Sequence, residues 1–378
     1  MATNTTNEEM KVILGELDTL FESFYEWLAG QYDCASGGFY YARSSYHMDN
    51  FIPDIESSAQ ALNIIERSGL LPELPERVRQ GLIAFFQNKQ DPASGYFYDA
   101  DDNMRKDEVM VGRALGYSTN SLRKLGGQPL YTLPHQQQEP PEFMQSPETY
   151  VEWLKSVDLR NSWRGCDLMC APNHHVAALN VQDQRSYVDA AAAYFASIQD
   201  PETGLWGEGN LYIRISGTFK LNMFYKRFGL SVPHLDRILR TIQLCLRTEE
   251  AIDMCWIRNP LDLLEAFREE LKVPAEDFAE IMHISIANMR KLLRSDGGFS
   301  RELKHSPTAP NVAQVKEGEF YPYMPAAVPI GLGLVEGDMN AGTQAIWIRQ
   351  IGYELGGIDH LPLDYARTFR NAIEARLA

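Results

Sequence analysis

The stretch Phe195-Ala196-Ser197-Ile198-Gln199-Asp200-Pro201-Glu202-Thr203-Gly204-Leu205-Trp206 constrains the fold more than any other, because its pattern of aromatic, Gln, turn, Gly and aromatic recurs along the chain. Phe86, Gln90, Gly95 and Phe97 reproduce its spacing residue for residue. Trp27, Gln31, Gly37 and Phe39 reproduce it with one extra turn residue, and a weaker copy ends in Gly297-Gly298-Phe299. The marker glycines stand one, two and two periods apart if the period is about 45 to 60 residues, long enough for a pair of helices. In each unit a helix ends at the Gln, an Asp turns the chain, and Gly takes a backbone conformation that other residues avoid. The last aromatic then folds back over the helix end. Such hairpins bury their inner surfaces only against neighbouring hairpins, and a closed ring is the arrangement preferred here.

At 378 residues the chain has room for about six hairpins around one core, and no linker-like segment divides it. One domain spanning 1–378 is expected, with QQQEPPEFMQSPE at 136–148 as a long connection on the rim. The net charge of −16, without any run of Lys or Arg, argues against nucleic acid and against an anionic membrane surface as partners. The first residues, MATNTTNEEM, lack a basic region followed by an apolar stretch, and no window approaches 18 uninterrupted apolar residues. A soluble, cytoplasmic protein is expected. Five scattered cysteines fit reduced thiols better than a disulfide framework.

Helical periodicity runs through the chain. The first helix is predicted to start near Thr6, with Leu14, Leu17, Leu20, Phe21, Phe24, Trp27 and Leu28 on its buried face. Further helices are predicted from Asp54, which can cap its own first turn, and over 76–90, 107–125, 150–157 and 188–199. Another runs from about Asn210 to Phe228, followed by 235–246, 261–271, 278–293, 343–355 and 365–377. Strand-like alternation is scarce, so the class is all-α.

These Gln-to-aromatic units alternate with helices that open on acidic residues such as Pro53-Asp54-Ile55-Glu56-Ser57. In this they resemble the repeats of terpenoid cyclases and protein prenyltransferase β subunits. The resemblance covers most of the chain and implies an α/α toroid, two concentric rings of helices around a cavity. Many glycoside hydrolases and polysaccharide lyases share that architecture without sharing the reaction. Two local motifs bear on chemistry. Asp99-Ala100-Asp101-Asp102 is similar to the DxDD motif with which squalene-type cyclases protonate an alkene, which would make Asp101 or Asp102 the acid. The tetrad directly follows a repeat turn, so Asp99, Asp101 and Asp102 are expected to be solvent-exposed. Asp253-Met254-Cys255-Trp256 is similar to the Asp-x-Cys zinc ligands of prenyltransferases, but Pro322, after Phe320-Tyr321, stands where the third ligand would be. No metal site and no cofactor are predicted.

Cys166, Cys170, His174 and His175 form a second cluster. Pro172 interrupts it, so the cysteines are expected in an approach loop and the histidines at the start of an inner helix. The predicted helix entrances mix charge, hydroxyls and flat rings, which suits a polar, carbohydrate-like or anionic small molecule or oligosaccharide better than a terpene. The leading expectation is therefore an enzyme of hydrolase or lyase type using general acid and base chemistry, with Asp54, Glu56, His174, His175 and Asp253 as catalytic candidates. Arg113, Trp163, Tyr212, Arg214, Ser216, Lys220, Trp256 and Tyr321 are candidates for substrate binding. The alternatives are a terpene cyclase or prenyltransferase-like enzyme and a non-catalytic toroid that binds a ligand or another protein. Gly217 weakens the helix that carries Arg214, Ser216 and Lys220. That cost suggests that the segment faces the cleft, where the two cations and the hydroxyl would flank an anion.

Overall fold

The structure, a computed structural model, describes residues 2–102, 104–106, 108–134, 141–309, 327–360 and 362–377. Every regular element among them is a helix, and the protein is all-α. Helices α1 (Ala2–Thr19) and α2 (Phe24–Gly30) lead through the short α3 (Arg43–Tyr46) to α4 (Ile55–Arg67). The chain then alternates in the same way: α5 (Glu76–Asn88) with α6 (Glu108–Leu125), and α7 (Pro147–Ser156) with α8 (Ser162–Cys170). After the single-turn α9 (Asn173–Ala178) come α10 (Val181–Ile198) with α11 (Leu211–Phe228), α12 (Leu235–Thr248) with α13 (Met254–Ala266), and α14 (Ala275–Leu292) with α15 (Met339–Gly356). Helix α16 (Ala366–Leu377) closes the chain against α2.

The second helices of these pairs pack on one another in the order α8, α11, α13, α15, α4, α6, so that α15, late in the chain, rests on α4, near its beginning. Helices α14 and α15 also pack on α1, which brings the two ends of the chain together. Burial follows this order. Helix α4 is buried on every side from Ile55 to Leu62, polar residues included, as expected of a helix with protein all around it. Helix α12 buries only Ile238, Leu239, Thr241, Ile242, Cys245 and Leu246, and leaves Arg240 and Leu244 exposed.

The repeat turns are staples between successive hairpins. Gln199 Nε2 donates to the carbonyls of Gly204 (2.8 Å) and Pro233 (2.9 Å), and Gln90 Nε2 donates to those of Gly95 (3.1 Å) and Tyr131 (2.9 Å). The buried amide thus closes its own turn and grips the segment that leads into the next hairpin. Gly95 has φ +74, and a Cβ there would lie 2.1 Å from the Thr132 carbonyl oxygen. Any side chain would be strained and would also collide. At the weaker copy, a Cβ on Gly297 would lie 2.7 Å from the Ser23 carbonyl, at the start of α2, so the last marked turn docks on the beginning of the chain. Phe39, Phe97, Trp206 and Phe299 are all fully buried, and Trp206 Nε1 donates to the Phe195 carbonyl (2.8 Å) of the preceding helix.

Three local expectations are corrected. Helix α13 starts at Met254 rather than near 261 and carries Pro260 inside it. The hydrogen bond lost at the proline is offset by the Asp253 cap and by packing on both α11 and α15. Cys166 and Cys170 lie buried on α8, which stops just before Pro172, so His174 and His175 ride on α9 beyond it. Asp99 is buried while Asp101 and Asp102 are exposed. The chain returning from the turn lays Asp99 against the amino end of α4, where it accepts the Ile55 N–H and pairs with Lys89 (2.8 Å).

Candidate functional site

Helices α4, α8, α11, α13 and α15 begin on side chains that satisfy their free N–H groups. Asp54 accepts from Ser57 N (2.8 Å), Asn161 from Arg164 N (3.1 Å) and Asn210 from Ile213 N (2.9 Å). Asp253 accepts from Cys255 N (2.7 Å) and Asp338 from Ala341 N (2.8 Å). Residues further along these helices enclose a cavity of about 290 Å³. Helix α4 contributes Gln60, Asn63 and Arg67, α6 Arg113 and Tyr117, α8 Trp163, and α11 Lys220. Cys255, Arg258 and Asn259 come from α13, Asn340, Thr343, Gln344 and Trp347 from α15, and Arg301 from the loop before α15. The spacings 60, 63, 67 and 340, 343, 344, 347 each mark a single helix face.

Five of these side chains are cations, and among the described residues no acidic side chain is part of the lining. The compensating carboxylates stand behind the wall. Arg113 grips Glu56 with two nitrogens (Nη2–Oε1 2.7 Å, Nε–Oε2 3.3 Å) and donates to the Tyr117 hydroxyl at 3.0 Å. Lys220 pairs with Asp167 (2.8 Å) above the Trp163 ring, Arg258 with Asp262 (2.9 Å), and Arg301 with Asp253 (2.7 Å). Arg67 differs: it donates to the Gln350 side chain and lies 4.3 Å above the Trp347 ring, with no carboxylate at ion-pair distance among the described residues. Burial lowers its affinity for the proton. Burial, reinforced by Glu56, pushes the Tyr117 phenol up to about 12, so it stays protonated at neutral pH.

Arg113, Trp163 and Lys220, three of the predicted binding residues, line this cavity. Glu56 touches it only through Arg113 and Gln60. Asp54 and Asp253 are helix caps, and Asp253 is also the counter-ion of Arg301, because the end of a buried helix needs an acceptor before a substrate does. His174 and His175 lie outside the cavity lining: His174 is exposed and its Nδ1 meets the Ala171 carbonyl at 2.9 Å. Tyr212 is buried and stacks on Trp256 (ring centroids 5.0 Å, interplanar 14°), and neither ring is part of the lining.

Arg214 braces the repeat turn through Asp200 (2.8 Å) and Thr203 (3.0 Å), and this hydrogen bond holds the Asp200 carboxyl down at about 2. Lys220, six residues on and about 120° around the helix, is the one that meets the cavity. Ser216 is occupied between the Tyr212 carbonyl (2.7 Å) and Asn259 Nδ2 (2.8 Å). Gly217 has a packing reason instead: a Cβ there would lie 1.9 Å from Ser162 Oγ and 2.6 Å from the Ser162 carbonyl oxygen, where α8 crosses α11. Tyr321 lies outside the described residues.

Arg67, Tyr117, Asn259, Gln344 and Trp347 were not anticipated as site residues. For Gln344 and Trp347 the signal is a polar or bulky residue well inside α15, most of which is buried. Among the described residues no group of three or more His, Cys, Asp or Glu side chains is placed to hold a metal ion, and no helix is long and apolar enough to cross a membrane. No protein-family model matches the chain, and no curated protein matches it in sequence.

Proposed function

We propose that the chain is an α/α toroid of the kind built by terpenoid cyclases and protein prenyltransferase β subunits. Its central cavity binds a small, anionic, carbohydrate-like substrate for acid and base chemistry of hydrolase or lyase type. The ring is supported by the packing of α15 on α4 and by the docking of the Gly297 turn on α2. A single observation carries the function: among the described residues the cavity wall consists of five cations, five amides, the Tyr117 and Thr343 hydroxyls, the Cys255 thiol and two indoles, and four of the cations each have a carboxylate behind them. Such a wall attracts negative charge and offers directional bonds to hydroxyls, whereas a carbocation would meet repulsion from each guanidinium. We assign the role of proton donor to a leaving oxygen to Tyr117, a reading supported by its raised phenol and by the Arg113 hydrogen bond to its oxygen.

Titration calorimetry on the full chain tests this reading. D-glucuronate or glucose 6-phosphate should bind, and Lys220→Met should weaken that binding about tenfold, in line with the loss of a charge-assisted hydrogen bond. Farnesyl diphosphate should bind no tighter than inorganic pyrophosphate, because nothing in the wall rewards its tail. A prenyl chain that strengthens binding, or indifference to both sugar acids, would overturn the reading.

A further inference from the structure

We propose that His360 is an acid-sensitive tie that fastens the link after α15 to the body of the protein, and that protonation of its ring lets the link go. The tie is independent of what the cavity binds.

Gly357, at φ +63, ends α15 and turns the chain away from it. The Ile358 N–H donates to the Tyr353 carbonyl (3.1 Å), and its half-buried side chain packs against the core. Two residues on, His360 Nε2 lies 2.6 Å from Arg349 Nη1, which belongs to α15. Among the described residues this is the one side-chain hydrogen bond that 357–360 make. Its other end is a fixed point. Arg349 is only 2% exposed, and its Nε and Nη2 donate to the two carboxylate oxygens of Asp18 on α1 (2.7 and 3.1 Å). The Tyr353 hydroxyl donates to the second of those oxygens (2.7 Å). The imidazole thus joins the link to a buried cluster shared by α1 and α15.

A guanidinium has donors and no acceptor, so His360 Nε2 must be the acceptor of this bond and carries no proton. The ring is therefore neutral, with its proton on Nδ1. A proton added at Nε2 removes the acceptor and sets an imidazolium against a guanidinium. The groups around the ring divide. Burial, Arg349 on α15 and Arg67 on α4 oppose the added proton, while Asp18 on α1 and Glu354 on α15 favour it. Both carboxylates are already engaged, Asp18 by Arg349 and Tyr353, and Glu354 by Gln350 Nε2 (2.7 Å). The Tyr353 ring meets the imidazole edge-on at 5.6 Å, and its phenol, pushed up to about 12 chiefly by burial, carries no charge at neutral pH. The opposing groups prevail, burial first and Arg349 next, and hold His360 below the ordinary histidine value. With the folded value below the unfolded one, the stability that the tie adds is present above the unfolded value and is lost as pH falls through the folded value.

Hydrogen exchange of the full chain, read by mass spectrometry and corrected for the intrinsic pH dependence of exchange, tests the tie. Between about pH 7.5 and about pH 5, the peptide spanning 357–360 should lose protection about tenfold relative to α12 in the parent. In His360→Gln the side-chain oxygen can accept from Arg349 at either pH, so protection of the same peptide should not change with pH. The tautomer is read separately, by nitrogen NMR of histidine-labelled parent, with His360 identified as the resonance missing from both His360→Gln and His360→Asn. Its Nε2 should be unprotonated at the higher pH and take up a proton only below the ordinary histidine range. A protonated Nε2 at the higher pH would overturn the proposal. So would a parent that keeps its protection on acidification, or one that loses it no more than His360→Gln does. Should His360→Gln lack protection already at the higher pH, the tautomer and the titration of His360 in the parent decide.

Discussion

Replacing Asp54 by Asn should remove a specific pH dependence from the stability of the fold. The Asp54 carboxyl is buried at the start of α4, with Oδ1 capping Ser57 N and Oδ2 without a partner. Burial, then the neighbouring Asp99 charge and, more weakly, Glu56 push it from 3.8 up to about 7, against the lowering pull of the Ser57 hydrogen bonds. Asp99 has Lys89 as its partner, so Asp99 is the ionised member of the pair and Asp54 the protonated one. The folded value lies above the unfolded one. The contribution of Asp54 is therefore fully present below the unfolded value and is lost as pH rises through the folded value. The shift of roughly three units corresponds to about 4 kcal/mol over the whole range, of which roughly 3 kcal/mol falls between about pH 5 and pH 8. Asparagine keeps the capping oxygen and carries no charge at either pH. For 378 residues the unfolding entropy is roughly 0.8 kcal/mol/K, so the melting temperature of Asp54→Asn relative to the parent should climb by about 4 °C over that interval. Parallel thermal melts at four pH values measure this directly, and the background from the net charge of −16 is common to both proteins. A difference that stays flat with pH, or that shrinks as pH rises, would refute the reasoning.

Two further substitutions test the packing. Gly217→Ala places a Cβ against the backbone of Ser162, where neither helix can yield by rotating a side chain, so about 1 to 3 kcal/mol of stability should be lost; a thermal melt unchanged from the parent would count against the close crossing of α8 and α11. Asp253→Asn leaves the buried Arg301 guanidinium without its counter-ion and should cost about 3 to 5 kcal/mol in a urea titration, whereas Asp102→Asn, whose side chain is 89% exposed, should stay within about 0.5 kcal/mol of the parent.

The repeat turn was legible in sequence because its parts act on neighbours a few residues away. Gln199, Gly204 and Trp206 each do locally what their chemistry suggests, and helices such as α5 and α16 follow from apolar spacing. The face that each of the cavity-lining helices turns to the cavity was not legible. The register of α11 is set by the approach of Gly217 to Ser162 on another helix, and this directs Lys220 inward and Arg214 toward its own turn. A helical wheel gives the angle between those two residues but has no zero until the neighbours are known. Arg113, Trp163 and Lys220 could be anticipated as polar or aromatic residues near helix entrances. Arg67, the last residue of α4, and Trp347, in the middle of α15, lie away from the helix starts and could not, since an arginine in a helix reads as a solvated residue until its neighbouring helices are in place.

The acidic residues illustrate a more general ambiguity. Asp54, Glu56 and Asp253 sit at helix starts in a pattern that suits both capping and acid chemistry, and spacing cannot separate the two. The structure separates them by what each oxygen already holds. Glu56 is committed to Arg113 and Gln60, and Asp253 to Cys255 N and Arg301. These carboxylates offset the burial of the wall cations and, in doing so, hold their donor groups in place before any ligand arrives. An anion entering the cavity then meets donors whose conformational freedom was lost during folding rather than during binding, which favours affinity without any added contact. Substitutions around the cavity should accordingly divide in two. Changing a carboxylate behind the wall lowers stability first and binding as a consequence. Changing Lys220, which lines the cavity over the Trp163 ring and keeps part of its side chain accessible, alters binding while the fold holds.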